Sequence, residues 1–177
     1  DEAASHATKQ LLSKGVTVTE QLGLAISWFV MATAARRSRT GAVRHSSMLV
    51  HTTMRVNAQL SYIEPIQTYL RELAERVERG ELEEFRRQWV EETTREPAER
   101  NGLTPVSFEE IAPTLAKTIE SVKVLADNGV STDRLPYGSD PATVIAIGGN
   151  TLSRGLTLEG LVSSYFLRSS TTYDTLL

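Results

Sequence analysis

The sequence predicts an α/β fold in which a mainly parallel sheet carries helices on both faces. The first observation is the apolar run Val144 to Ile147, which ends at two glycines and is typical of a buried strand in a parallel sheet. The second is the order of segments along the chain, which reads helix, strand, helix, strand, strand, loop and strand. The third is the apolar stretch Leu22 to Ala35, which is shorter than the roughly 20 residues of a membrane span and therefore indicates a core helix.

Composition favours a single domain without disulfides. The 177 residues fit the usual size of one domain, and a net charge of −3 gives no overall basic signature, so any contact with nucleic acid has to be local. The absence of cysteine excludes zinc fingers and favours a cytoplasmic location. No membrane segment or signal peptide is predicted. Because the chain starts without Met and ends in what reads as the start of a helix, we interpret residues 1–177 as one domain cut from a longer protein.

Start and stop signals define the first elements. Good helix formers fill Ala3 to Lys14, and Gly15 follows as a stop. The capping-box pattern Thr17-Val-Thr-Glu20 predicts the start of a second helix, which we expect to run to about Arg39. Ser47 to Thr52 then reads as a short buried strand.

The next segment reads as a long helix. Asn57 is a good N-cap, and the helical pattern continues to Arg79 with Gly80 as its end. Pro65 lies inside this pattern and is expected to kink the helix or to mark a break.

Residues 80–121 are interpreted as an insertion. The first half, Glu81 to Arg100, is dense in alternating charge and predicts a solvated helix or hairpin. A second capping box, Ser107-Phe-Glu-Glu110, predicts a helix that ends near Ser121.

The last part of the chain supplies three strand candidates separated by polar loops. They are Val122 to Ala126, Thr143 to Ile147 and Leu161 to Arg168.

The loop behind the second of these strands is the strongest functional candidate. Open α/β sheets bind ligands at the carboxyl ends of their strands, where loops and helix amino termini converge. Glycines in this loop permit close approach of a ligand to the backbone, its small polar side chains can donate to phosphate oxygens, and Arg154 can bind a phosphate in bidentate fashion. The alternative is a tight strand-to-helix turn whose polar groups satisfy the start of the helix. The loop residues assigned to binding are Gly149, Asn150, Thr151, Ser153, Arg154, Gly155, Thr157 and Glu159.

Several catalytic motifs are missing from the sequence. It contains no Walker-type phosphate loop, no G-x-G-x-x-G and no G-x-S-x-G. The three histidines have no metal-like spacing, so no metal site is predicted and no catalytic residue is assigned. The chain alone is therefore not expected to hydrolyse ATP.

The strings SSMLVHTT and VIAIGGNTLSRGLTLEGLVSSYFLRSSTTYDTLL resemble the Z-one domain, a family of candidate endonuclease domains in helicase-like bacterial proteins. TLSRGLTLEG is also similar to motif V in the second RecA-like domain of superfamily two helicases. The resemblance implies the C-terminal RecA-like half of an ATP-dependent, nucleic-acid-processing protein. ATP and Mg²⁺ would be held mainly by an N-terminal RecA-like domain of the same chain, and the partner would be DNA. Residues 80–121 are left unmatched.

The same resemblance implies roles for individual residues. In such helicases the motif V loop touches the nucleic-acid backbone and senses the nucleotide, and its working positions match Thr151, Ser153, Arg154 and Gly155. The end of motif IV also faces nucleic acid and matches His51, Thr52 and Thr53. Thr157 stands where helicases often carry an aspartate, so Glu159 would have to supply the acidic contact. Motif VI, with the arginine finger, would begin beyond Leu177.

Arginines at the end of the second predicted helix form a weaker candidate. Arg36 and Arg37, together with Arg39 and Arg44, would bind nucleic-acid phosphates in one interpretation. In the other they complement the negative end of the helix dipole. The residues alone do not decide between the two.

Three functional hypotheses remain after these observations. The first is a DNA-processing motor half. The second is a non-enzymatic interaction domain that scaffolds a defence or repair complex. The third is an α/β enzyme that binds a small phosphorylated substrate through GGNTLS, although no general base is evident near Ser153.

Overall fold

A computed structural model describes residues 16–52, 56–127, 141–149 and 159–167, which form an α/β fold around one sheet. The helices are α1 (Glu20–Thr40), α2 (Val56–Leu60), α3 (Ile63–Glu78), α4 (Glu83–Arg95), α5 (Phe108–Ile111) and α6 (Leu115–Glu120). The strands are β1 (Ser46–His51), β2 (Val122–Asp127), β3 (Thr143–Gly148) and β4 (Leu161–Phe166). Short 3₁₀ helices cover Ala98–Asn101 and Ala112–Thr114. The helix predicted at Ala3 to Lys14 lies outside the described residues.

The sheet confirms the predicted α/β class. Its order is β2-β3-β1-β4, and every described pair of neighbours is parallel. β1 is central and pairs with both β3 and β4. The register joins His51 to Gly148 on one side and to Phe166 on the other, so the three strands end at one edge of the sheet.

The strands β1 and β3 are buried along their whole length and apolar at their centres, and the core explains why. On one face of the sheet, Met48 and Ile145 pack in the main hydrophobic cluster with side chains of the helices. On the other face, Val144 and Ala146 are fully buried as well. Strands buried on both faces read as continuous apolar runs, which is why their positions could be predicted closely.

α1 is the core helix that its apolar stretch predicted. Leu22, Ile26 and Phe29 have no exposed surface and lie in the main cluster. Among the helices of the described ranges, none combines the length and apolarity that a membrane crossing requires.

The predicted start of α1 at Thr17 is wrong by two residues. Thr19 is the N-cap: its backbone is extended, and its hydroxyl accepts a hydrogen bond from the Leu22 N–H at 3.3 Å. Thr17 carries the capping-box pattern and Thr19 does not, because residue 22 is a leucine, which is fully buried in the core. Both threonines are suitable N-caps by residue type, and the structure uses Thr19.

The long helix predicted from Asn57 is two helices, with a break at residues 61–62. Pro65 is the third residue of α3, where its missing N–H interrupts no intrahelical hydrogen bond, so the predicted break lies just before it. α2 begins at Val56 rather than after an Asn57 cap. Gly80 follows α3 with φ of +78°, in agreement with its predicted role as a stop.

Residues 80–121 contribute to the same core as the sheet. The charge-dense segment forms α4, and its Phe85 and Trp89 are buried against the main cluster. The second capping box is confirmed, because Ser107 and Glu110 each bond the other's backbone N–H. The helix predicted to reach Ser121 is interrupted by the 3₁₀ turn around Pro113 before α6 begins. Whether the segment is an insertion stays a prediction.

Candidate functional site

The four described strands all end at the carboxyl edge of the sheet. The Thr52 N–H, just after β1, donates to the Gly148 carbonyl at 2.8 Å. The Leu167 N–H, just after β4, donates to the His51 carbonyl at 2.9 Å. These bonds continue the parallel ladder past the strand ends. The edge from which the predicted loop departs is therefore rigidly tied on both sides of β1.

His51 and Thr52 lie at this edge but are buried. Their exposed fractions are 2% and 3%. The imidazole of His51 stacks on the ring of Phe166, with centroids 4.8 Å apart and planes 11° apart. Phe166, which was not among the predicted site residues, is the partly exposed member of this pair at 36%. Thr53, the third residue of the predicted group, lies outside the described residues.

The loop after β3 is described only at its two ends. Gly149 is buried at the carboxyl edge, next to the paired end of β3. Six assigned loop residues lie outside the described part of the chain, namely Asn150, Thr151, Ser153, Arg154, Gly155 and Thr157.

Glu159, the last assigned residue of the loop, lies at the opposite edge of the sheet. Its carbonyl accepts a hydrogen bond from the hydroxyl of Ser47, near the start of β1, at 2.9 Å. A six-residue strand is about 16 Å long from its first to its last residue. The connection between β3 and β4 thus carries Gly149 and Glu159 to opposite ends of β1, and the binding role assigned to Glu159 stays a prediction.

His45 faces Glu159 at this amino edge. Its Nδ1 accepts a hydrogen bond from the Ala142 N–H at 3.2 Å, which places the ring hydrogen of the neutral imidazole on Nε2. Nε2 is 3.7 Å from a carboxylate oxygen of Glu159. The contact links the residues that precede β1, β3 and β4.

Arg36 also belongs to the amino edge and not to the carboxyl edge. Its Nη1 donates to the carbonyl of His45 at 2.5 Å and to the hydroxyl of Ser46 at 3.4 Å. Gly160, with φ of +65°, turns beside this pair, and a Cβ at Gly160 would lie 2.7 Å from the same Nη1. The guanidinium occupies space that only a glycine leaves open.

Arg37 binds three hydroxyl groups from two other elements. Its Nη1 donates to Thr118 at 3.2 Å, and its Nη2 donates to Ser121 at 3.1 Å and to Thr143 at 2.6 Å. Burial lowers the pKa of Arg37 below its ordinary value, yet a guanidinium remains charged at neutral pH. Arg37 thus joins the end of α1 to α6 and to the start of β3.

The predicted candidates therefore divide into two groups that the structure does not bring together. His51, Thr52 and Gly149 lie at the carboxyl edge, and Arg36, Arg37 and Glu159 lie at the amino edge. Sequence reasoning missed the acceptors of the arginines, which are the carbonyl of His45 and hydroxyl residues at strand starts and at the end of α6. A hydroxyl residue directly before an apolar run, such as Ser46 or Thr143, is the one signal that could have indicated them.

Two grooves lie away from the carboxyl edge of the sheet. One of about 440 Å³ is bordered by α1, α3 and α4, and contains Leu24 and Tyr69 among its lining residues. The other, of about 360 Å³, lies beside Arg37 between α1 and α6. Within the described residues, no group of three or more His, Asp or Glu side chains is arranged to hold a metal ion.

Comparison with known proteins gives one match. The model of a family described as the Z1 domain matches residues 21–177, a range that includes residues 80–121. No curated protein and no solved structure matches the chain.

Proposed function

The chain belongs to the Z1 domain family, and from this premise we propose that it is a nucleic-acid-processing module. In this proposal it forms the C-terminal RecA-like half of an ATP-dependent, helicase-like protein whose partner is DNA. The observation that carries the proposal is the carboxyl edge of the sheet, where β1, β3 and β4 end together and the loop rich in phosphate-binding residues departs. Edges of this kind are where open α/β sheets bind their ligands.

The loop supplies the chemistry that the edge itself lacks. His51 and Thr52 are buried, so the exposed donors for a phosphate backbone have to come from the loop. We assign this role to Thr151, Ser153 and Arg154, whose hydroxyl and guanidinium groups suit phosphate oxygens. Gly149 and Gly155 allow the backbone to approach the ligand closely.

ATP and Mg²⁺ are assigned to a different part of the protein. The sequence has no Walker-type loop, and the described residues contain no arrangement of carboxylates and histidines for a metal ion. By the resemblance to superfamily two helicases, we propose that an N-terminal RecA-like domain of the same chain holds the nucleotide and that this domain closes over it. The same observations leave nucleic-acid cleavage without an assigned residue, so we propose no endonuclease chemistry for this chain.

The test is fluorescence anisotropy of a labelled single-stranded DNA across a salt series. Arg154→Ala is expected to bind several-fold more weakly than the wild type, with a salt slope shallower by about 1, because one phosphate contact is lost. Arg71→Ala is the matched control, since Arg71 is exposed on α3 and bonds only Thr68 among the described residues. It removes the same charge from an exposed position on α3.

A second candidate function is an interaction domain without motor activity. The burial of His51 and Thr52 favours it, because a nucleic-acid surface would be expected to present these side chains to solvent. Absence of salt-dependent DNA binding, or equal binding by Arg154→Ala and the wild type, would contradict the motor proposal and support this alternative.

A further inference from the structure

Phe166 differs from the other three phenylalanines of the chain. Phe29, Phe85 and Phe108 are buried in the main cluster, with at most 3% of their surface exposed. Phe166, the last residue of β4, exposes 36%. It lies at the same edge of the sheet as the ends of β1 and β3.

One side of the Phe166 ring is in contact with a buried side chain. The register pairs Phe166 with His51, and their rings stack nearly parallel at 4.8 Å. The imidazole of His51, which is almost fully buried, therefore covers one side of the Phe166 ring. The backbone on both sides of the pair is fixed by the Leu167 to His51 and Thr52 to Gly148 hydrogen bonds. A ring held in this way loses little conformational entropy when a second flat group stacks on it.

From this geometry we infer that Phe166 is a stacking platform for a base of single-stranded nucleic acid. The inference rests on the proposed function and adds a base contact to the phosphate contacts assigned to the loop. Single-stranded nucleic acids bind by combining cationic groups along the backbone with aromatic side chains on which the bases stack. Stacking needs only a flat ring, so the contact tolerates any sequence.

A base fits this surface better than an apolar protein partner does. Protein docking sites of this type need a contiguous apolar patch of a few hundred Å². On β4 the neighbour on the same face, Ser164, is polar and exposed. Leu161, the other exposed large apolar residue of the strand, lies at the opposite edge. Among the described residues of β4, the exposed apolar surface at the carboxyl edge is therefore the single ring of Phe166.

The experiment separates base contacts from phosphate contacts. Anisotropy is measured with labelled oligothymidine and with an abasic oligonucleotide of equal length and charge. Phe166→Leu, which keeps an apolar side chain without the ring, is expected to bind oligothymidine about 5- to 100-fold more weakly than the wild type. Binding of the abasic strand is expected to be unchanged. Phe166→Tyr is expected to bind both strands as the wild type does.

Leu161→Ala is the matched control, because Leu161 is exposed on the same strand at the other edge. It is expected to leave both affinities unchanged. A direct readout uses Phe166→Trp, whose additional emission is expected to be quenched by oligothymidine and not by the abasic strand. This second variant tests the contact even where Phe166→Leu lowers the thermal midpoint of the domain.

Each failure has its own meaning. If Phe166→Leu weakens binding of both oligonucleotides equally, or of neither, the proposed stacking role of Phe166 is wrong. It is also wrong if the introduced tryptophan is not quenched. The proposed function then stands on the result for Arg154→Ala. If the wild type binds neither strand at any salt concentration, the proposed function and the platform fall together.

Discussion

Arginines at the end of α1 and arginines at the end of α3 bond to different kinds of acceptor. Arg36 and Arg37 donate to carbonyl and hydroxyl oxygens at the amino edge of the sheet. Arg76 and Arg79 pair instead with glutamates in solvent, for example Arg76 with Glu84 at 2.6 Å. Among the described residues, Arg36 and Arg37 form no ion pair.

The comparison shows that charge density on a helix says little about stability. Exposed ion pairs contribute between about 0 and 1 kcal/mol, because water and salt screen them. A partly buried guanidinium bonded to three hydroxyls is different, since each lost bond leaves a desolvated donor and acceptor behind. Substitutions at the amino edge are therefore expected to lower the stability strongly. Substitutions in the exposed ion pairs of Arg76 and Arg79 with glutamates are expected to change it little.

Gly160→Ala is expected to have the largest effect. The added Cβ would collide with the carbonyl of His45 and with the guanidinium of Arg36, and φ of +65° is unfavourable for alanine. A loss of about 4 kcal/mol or more in the free energy of unfolding is expected, measured by urea denaturation. Gly102→Ala is the control, because Gly102 has the same φ with nothing within 4 Å of the added Cβ. It is expected to cost about 1 to 2 kcal/mol. Equal losses in the two variants would mean that the amino edge accommodates the added methyl group without an extra loss of stability.

Arg37→Met is expected to have the next largest effect. It removes three hydrogen bonds that join α1 to α6 and β3, so a loss of about 2 to 3 kcal/mol is expected. Arg79→Met removes an exposed arginine that pairs with Glu75 and Glu81, and it is expected to cost much less than Arg37→Met, because water and salt screen exposed pairs. Urea midpoints of the two variants measure the difference. If Arg79→Met costs as much as Arg37→Met, the comparison is wrong.

The smallest effect is expected in the pH dependence of stability, and it concerns the exposed ion pair between Arg76 and Glu84. Hydrogen bonding to Arg76 holds the pKa of Glu84 below its ordinary value. A carboxyl whose pKa is lowered by folding stabilises the protein above its unfolded pKa, about 4.3, and this contribution disappears as the pH falls through the folded pKa. Glu84→Gln is therefore expected to lose less stability than the wild type between pH 7 and pH 3.5. The urea midpoint at each pH measures this difference. Identical losses in the variant and the wild type would mean that Glu84 does not contribute to the loss of stability in acid.

Much of the fold could be predicted because its signals are local. The strands β1 and β3 follow from apolar runs, and the Ser107 to Glu110 capping box is contained in four residues. The start of α1 could not be predicted to the residue, because the capping-box pattern favours Thr17 whereas the structure uses Thr19, which is also a suitable N-cap by residue type.

The site was predictable only in part, for a related reason. Parallel pairing necessarily brings the ends of β1 and β3 to one edge, so the meeting of His51 with Gly148 follows from the strands themselves. The destination of Arg37 does not follow, because its acceptors Thr118 and Thr143 are 81 and 106 positions away in the sequence. The exposure of Phe166 also depends on what covers β4, and alternation along a strand does not contain that information.

The strand order also sets the sequence of events in folding. His45 and Ala142, which precede the central strands β1 and β3 and are hydrogen-bonded to each other, lie 97 positions apart. During synthesis β1 emerges before β3, its first described strand partner, and the six helices of the described ranges also precede β3 in the chain. Late closure of such long-range pairs makes folding slow. Until then the apolar β1 depends on the packing of the nascent helices, with α1 foremost, to keep it from pairing with other chains.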